Sequence, residues 1–250
     1  MIRLVGTENK IIQQYIHSQA ENIFAVKIHS LIKAYGQYEN LLDIWYQNDN
    51  NKVTAYLLKY GSEMIADIVA ECDIAELLNF CRMTGAKAVL CKKISADGNL
   101  GTVMKLKCLR NNEYGYEVSQ KVDLREYYRL LKSNQSEKFV VPDFEDFYVD
   151  LHHRLRKGCA KITGVYFQQK LVSGCIASAI SGNSAIISAV STLPEYKRQG
   201  FGTKAVYELC RSLQNKSVDD IYLQRDKNEN EKFYRNLGFE DVSEFVQIVL

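Results

Sequence analysis

The chain has 250 residues, 46% hydrophobic and 25% charged, which supplies enough apolar material for a sizeable core and argues against general disorder. At about 150 residues per domain, this length corresponds to one large or two small domains. Lysine and arginine number 32 against 30 aspartates and glutamates, and the net charge of +2 is shared evenly by the two halves. Binding to a phosphate backbone without sequence preference needs a basic excess, so nucleic acid is not expected as principal ligand.

The seven cysteines are odd in number and form no CxxC pair. Several stand in apolar runs, Cys108 in MKLKCL and Cys210 in VYELCRSL, a pattern of buried free thiols in a reducing compartment. The start, MIRLVGTENK, has no apolar core of a signal peptide, and a cytoplasmic location is expected. Residues 171–194 carry no charge, but they are rich in serine and broken by Gly182-Asn183. They read as two strands and a tight turn, so no membrane partner is expected.

In chain order, strands are expected at 41–47, 52–59 and 62–70. Asp73 and Glu76 form a capping box ahead of LLNFC, Gly85 stops that helix, and a strand follows at 88–92. The run NNEYG at 111–115 interrupts the pattern. Asp123 and Glu126 open a helix before YYRLL. A further helix begins at Pro142-Asp143, with Phe144, Phe147, Leu151 and Leu155 at helical spacing, and ends at Gly158. Strands are expected at 160–167, 171–181 and 184–192. A helix at 202–213 places Ala205, Val206, Leu209 and Leu213 on one face. A strand at 220–224, a short helix at about 228–236 stopped by Gly238, and a strand at 245–250 complete the series.

Each half thus runs three strands, a helix and a strand. The fold class is α/β, in the α+β sense of a mixed sheet, with two related domains at 1–112 and 113–250. The halves differ at one link. The first passes from strand to helix through Val69-Ala-Glu-Cys-Asp73, without glycine. The second passes through Thr192-Leu-Pro-Glu-Tyr-Lys-Arg-Gln-Gly-Phe-Gly-Thr203.

Backbone N–H groups at a helix N-terminus have no intrahelical partners, and the helix dipole places about half a positive charge there. Gly200 and Gly202 allow close approach to the backbone, and Lys197 and Arg198 add charge. The segment reads as a pyrophosphate cradle; the alternative is a glycine-bearing turn with solvated basic residues. It is no Walker loop, since GxxxxGK followed by Ser or Thr is absent. It is no dinucleotide fingerprint either, because the third glycine position holds Ala205.

The run from Val190 to Thr203 resembles motif A of the GNAT N-acetyltransferases, whose core reads Q/R-x-x-G-x-G/A. Downstream, Asn228-Glu-Asn-Glu-Lys-Phe-Tyr-Arg-Asn-Leu-Gly-Phe239 is similar to that family's N-x-x-A-x-x-x-Y-x-x-x-G-F segment. The resemblance covers residues 113–250. Over the first 110 residues, only the order of elements matches, so two tandem GNAT-like domains are expected, the first degenerate. Lys197 departs from the family's Gln or Arg, keeping the charge without the planar fork. Asn230 stands where a small Ala is common.

The resemblance implies that acetyl-CoA is the cosubstrate and that no metal is needed. Backbone N–H groups of Arg198, Gln199, Gly200, Phe201, Gly202 and Thr203 would hold the pyrophosphate, with Lys197 adding its charge at the loop. Val190 to Thr192 would pair with the pantetheine arm, a main-chain N–H near Val190 would polarise the thioester carbonyl, and Asn228 would bond the pantetheine. Tyr234 would protonate the departing thiolate. Read as local structure, Asn228 is instead a helix N-cap with Glu231 as its capping-box partner. The implied activity is acetyl transfer to a small-molecule or peptide amine. The alternatives are an acyl-CoA-binding regulatory module without transferase activity and an interaction protein whose loop is only a turn. No general base is assigned: Glu195 lies beside the loop, and His152 and His153 read as a structural pair. Cys175, Cys210 and Trp45 read as packing, and Lys92-Lys93 as a solvated strand end.

Overall fold

The chain's structure is a computed structural model that describes residues 1–38, 40–110, 114–137, 139–226 and 230–250. Its elements in order are β1 (Ile2–Val5), α1 (Lys10–His17), α2 (Ile23–Tyr35), β2 (Leu42–Asp49), β3 (Lys52–Tyr60), β4 (Glu63–Ile68), α3 (Ile74–Met83), β5 (Ala88–Lys92), β6 (Asn99–Leu106), β7 (Glu117–Ser119), α4 (Leu124–Lys132), α5 (Phe144–Arg156), β8 (Lys161–Phe167), β9 (Lys170–Ser181), β10 (Ser184–Thr192), α6 (Phe201–Gln214), β11 (Asp220–Asp226), α7 (Glu231–Leu237) and β12 (Phe239–Val249).

The chain divides into two compact units. One holds Met1–Val103, Arg225–Glu229 and Asp241–Leu250; the other holds Met104–Gln224 and Asn230–Glu240. This differs from the linear division expected between residues 112 and 113, a point outside the described residues. The last strand belongs with the first unit because it pairs antiparallel with β5, from Phe245 opposite Lys92 to Val249 opposite Ala88. Val246 and Ile248 are thereby buried with Leu77, Val89 and Cys91. Such a pairing joins residues about 150 positions apart, beyond the reach of local pattern.

In the first unit the strands lie in the order β1-β2-β3-β4-β5-β12, antiparallel except for β4 and β5. Two helices, α1 and α2, precede the first expected strand. α2 escapes pattern reading because it is apolar almost all round, burying Ile23, Phe24, Val26, Ile28, Leu31 and Ile32, so no amphipathic stripe shows. Their caps are legible afterwards: Asn9 Oδ1 accepts from the Ile11 N–H at 2.9 Å, and Asn22 Oδ1 from those of Phe24 and Ala25.

Inside α2, His29 is 3% exposed and its Nε2 finds no partner among the described residues. Burial lowers its pKa to about 4. Because the folded value lies below the ordinary 6.5, this group supports the fold fully above pH 6.5 and progressively less as pH falls from there to 4. At pH 5 the loss amounts to about 2 kcal/mol. A His29→Phe variant should therefore lose less stability than the wild type between pH 7.5 and 5 in urea titrations; equal losses would contradict a neutral buried imidazole. Asp67, whose pKa burial raises, pulls in the opposite direction and is common to both proteins.

In the second unit, β10 pairs in parallel with β11, and β9, β8 and β7 follow antiparallel beyond it. The uncharged run at 171–194 forms β9 and β10 joined at Gly182, whose φ is +55°, as the turn reading requires. The α6 face expected from Ala205, Val206, Leu209 and Leu213 packs on this sheet, joined by Phe201 and Cys210. Helices α4 and α5 cover a second cluster with Tyr127, Leu130, Phe147 and Leu151. Trp45 is buried in the first unit against Phe80, as its packing role predicts. All seven cysteines are free, and five are buried. Cys108 corrects the expectation drawn from its apolar run: β6 ends at Leu106, and Cys108 lies exposed beyond it. Among the described residues, no helix is long and apolar enough to cross a membrane.

Candidate functional site

β10 is irregular where the site forms. Ser188 stands opposite Ile176 of β9 and Ser191 opposite Gly174, so Ala189 and Val190 face the single residue Cys175. Two residues against one define a β-bulge, which bends the strand and re-aims its groups. Ala189 takes a left-handed conformation at φ +50°. On the other edge, pairing with β11 runs from Ser184 to Ile187 and ends there. Among the described residues, the stretch from Ser188 to Thr192 thus leaves the ladder with its parallel neighbour.

The loop after β10 turns sharply into α6. Pro194–Tyr196 form one 3-10 turn, Arg198 has φ +61°, and Gly200 caps the helix at φ +89°. That cap offers no side-chain hydrogen bond. The first N–H groups of α6 therefore keep both their donors and the positive end of the dipole for an outside anion. Lys197 and Arg198 are exposed beside them, and Gln199 donates from Nε2 to the Glu195 carbonyl at 3.0 Å. Gly202 lies close to Thr192, where an added Cβ would stand 3.1 Å from Oγ1. The structure thus brings Thr192, Lys197, Arg198, Gln199, Gly200, Phe201, Gly202 and Thr203 onto one turn, directly after the bulge that contains Val190.

Aromatic residues that sequence reading missed surround this turn. The ring of Tyr114 lies against Gly200, Tyr116 donates its hydroxyl to the Gln199 carbonyl at 2.7 Å, and Tyr116 stacks on Phe201 at 4.0 Å between centroids. The dipeptide-spaced tyrosines of NEYGYE were the available signal.

Tyr234 sits on α7, its ring edge-on to Phe233 and Phe239. Burial first, and Cys175 second, push its pKa to about 12. Cys175 is also the residue opposite the bulge, so Tyr234 and the open end of β10 converge on one thiol. Cys175 and Cys210 are fully buried with pKa raised by burial, which fits packing and not nucleophilic attack. Glu195 is exposed and paired to Lys170 at 3.1 Å, and its pKa is lowered, with a hydrogen bond to its own backbone as the largest cause and Lys170 next. His152 is exposed and stacks on Tyr148. Asn228 lies outside the described residues. The N-cap of α7 is Asn230, at φ +54°, so the capping box read from Asn228 to Glu231 is not how this helix begins. A positive φ is tolerated by asparagine, which explains why Asn230 stands there. No group of three or more His, Cys, Asp or Glu gathers as a metal would need among the described residues.

The corresponding place in the first unit is built differently. Pairing of β4 with β5 ends at Ala66, so Asp67 occupies the position where the strands part. Its carboxylate accepts from the Tyr15 hydroxyl at 2.7 Å and from Asn22 Nδ2 at 3.0 Å, and Tyr15 stacks on Tyr56 at 3.7 Å. The following helix, α3, is capped by Asp73, whose carboxylate accepts from the Glu76 N–H at 2.9 Å. A carboxylate already holds the spot where α6 leaves bare donors, and it repels a phosphate.

Comparison with known proteins agrees with this geometry. The model of the acetyltransferase (GNAT) family matches residues 124–239. No match to the chain is found among curated proteins. Among solved structures, a Drosophila protein determined by a structural genomics consortium is similar over 99% of this chain and 98% of its own, with a TM-score of 0.70 at 11% identity. A GCN5-related N-acetyltransferase from Sphaerobacter thermophilus is similar over 99% and 94%, with a TM-score of 0.63 at 12% identity. A tandem GNAT protein from the clavulanic acid biosynthesis pathway is similar over 99% and 97%, with a TM-score of 0.61 at 12% identity. The chain thus spans two GNAT-like units in a mixed α/β fold, the second of which carries the match to the GNAT acetyltransferase family model at residues 124–239.

Proposed function

We propose that the second unit transfers an acetyl group from acetyl-CoA to an amine, either a small molecule or a peptide amine. The observation that carries this reading is the uncapped N-terminus of α6 directly after a bulged strand end. The α6 amides from Phe201 to Thr203, with Lys197 and Arg198, bind the pyrophosphate. The backbone from Val190 to Thr192 pairs with the pantetheine arm, and Asn228 bonds it. A bulge amide near Val190 holds the thioester oxygen and stabilises the charge that develops there. The bound thioester supplies the acyl group. Tyr234 gives its proton to the departing sulfur.

The first test is a thermal shift with acetyl-CoA, free CoA and ATP. A ligand at about 100 times its dissociation constant adds roughly 2.7 kcal/mol. For a chain of this size, that raises Tm by about 5–10 °C. Shifts with acetyl-CoA and CoA, and none with ATP, support the reading; no shift with saturating acetyl-CoA removes its main support. The filled notch and capped α3 of the first unit lead to a second expectation: calorimetry counts one acyl-CoA per chain, and two equivalent sites would contradict it.

A further inference from the structure

The bulge in β10 is held from behind by side chains that none of the sequence motifs includes. Tyr127 of α4 is completely buried, and its hydroxyl donates to the Ala189 carbonyl at 2.6 Å. Its ring occupies space that β9 leaves open. An added Cβ at Gly174 would stand 2.7 Å from Tyr127 Cε2 and 2.8 Å from the Thr163 carbonyl oxygen. Two residues on separate strands, one strained and one without a side chain, thus accommodate a single tyrosine.

Two carbonyls beyond the bulge are bound in the same way. Ser173 Oγ donates to the Ser191 carbonyl at 2.9 Å, and Asn134 Nδ2 to the Thr192 carbonyl at 3.0 Å. Asn134 also reaches Ser191 Oγ at 2.8 Å, and that hydroxyl donates to the Leu130 carbonyl at the end of α4. The peptide planes of a bulge turn easily because the ladder is broken there. Here the Ala189 carbonyl inside the bulge and the Ser191 and Thr192 carbonyls just beyond it are bonded by side chains, and fixing a carbonyl fixes the N–H of the same peptide plane.

We infer that Tyr127 is a positioning residue for acyl transfer, holding the Ala189–Val190 peptide so that its N–H is aimed at the thioester oxygen, while Ser173 and Asn134 anchor the strand just beyond the bulge at the Ser191 and Thr192 carbonyls. This rests on the acyl-CoA reading given above. The hydroxyl touches no reacting atom and acts through the backbone. The left-handed conformation of Ala189 is strained for a residue with a side chain, and the Tyr127 bond opposes its relaxation.

The test is Tyr127→Phe, which keeps the ring and removes the hydroxyl. Tyr128→Phe serves as control, since that hydroxyl bonds the Pro142 carbonyl at 3.1 Å instead. Hydrogen exchange over residues 188–192 should accelerate at least about 10-fold in Tyr127→Phe, with β8 and α6 unchanged and the control like wild type, since losing one hydrogen bond of about 1.4 kcal/mol is a factor of ten. Calorimetry with the two ligands should show acetyl-CoA losing at least about 3-fold more affinity than free CoA, because only the thioester uses the aimed amide. A merely structural tyrosine would weaken both ligands equally, or neither, and that result overturns the inference, as does unchanged exchange over the bulge. A wild type that binds neither ligand instead overturns the acyl-CoA reading, while the exchange data still decide whether Tyr127 holds the bulge.

Discussion

Replacing Tyr234 with phenylalanine is expected to lower acetyl transfer by about 10²–10⁴-fold while CoA affinity stays within about twofold. The hydroxyl makes no hydrogen bond among the described residues, and the ring keeps its edge contacts with Phe233 and Phe239 in the variant, so stability changes little. Burial beside Cys175 raises the phenol to about 12, so the proton stays in place throughout the physiological range. The alkaline fall in rate that an ordinary phenol produces near 10 should accordingly appear near 12 in the wild type and vanish in the variant. The measurement is thiol release from acetyl-CoA with amines screened at saturation. A variant as fast as wild type would remove Tyr234 from the mechanism. A wild type that binds acetyl-CoA yet acetylates no amine would favour the regulatory module.

Gly238→Ala is expected to cost about 2–4 kcal/mol, from backbone strain and overpacking combined. The glycine ends α7 at φ +100°, and an added Cβ would collide with the Cys108 carbonyl oxygen. Neither segment can yield freely, because the Lys107 N–H donates to the Gly238 carbonyl at 3.0 Å and the Arg110 N–H to that of Leu237 at 3.3 Å. At about 2–4 °C per kcal/mol, Tm should fall by roughly 5–15 °C. Gly115→Ala is the control: nothing lies within 4 Å of its Cβ position, and the change should stay within about 0.5 kcal/mol. Scanning calorimetry compares the two, and equal Tm values would contradict the close approach of Cys108 to Gly238.

Gly238 was legible in the sequence as a helix stop, but its contact with Cys108 was not, and the two cases of α7 and α6 explain why. A stop signal depends on one residue's own backbone freedom. A clash depends on which distant segment arrives beside it. For α6, the glycines, the basic pair and the apolar stripe all lie within one short run, so helix and loop could be read together. For α7, the same kind of reading put the N-cap at Asn228, whereas the cap is Asn230. Two asparagines and two glutamates in alternation offer several starts, and only packing of the helix chooses among them.

The sequence by itself determined most elements from β2 onward, though not β1, α1, α2, β6 or β7, together with the glycine turn into α6 and the resemblance to GNAT acetyltransferases, since each depends on neighbours within a few residues. The tertiary structure alone decided that β12 completes the first unit, that Asp67 is bonded by Tyr15 and Asn22 while Asp73 caps α3, and that β10 carries a bulge bonded by Tyr127 with Ser173 and Asn134 holding the strand beyond it. These features are pairings between residues distant along the chain. A side chain's identity states what it can bond, and only the folded backbone brings the partner to within 3 Å.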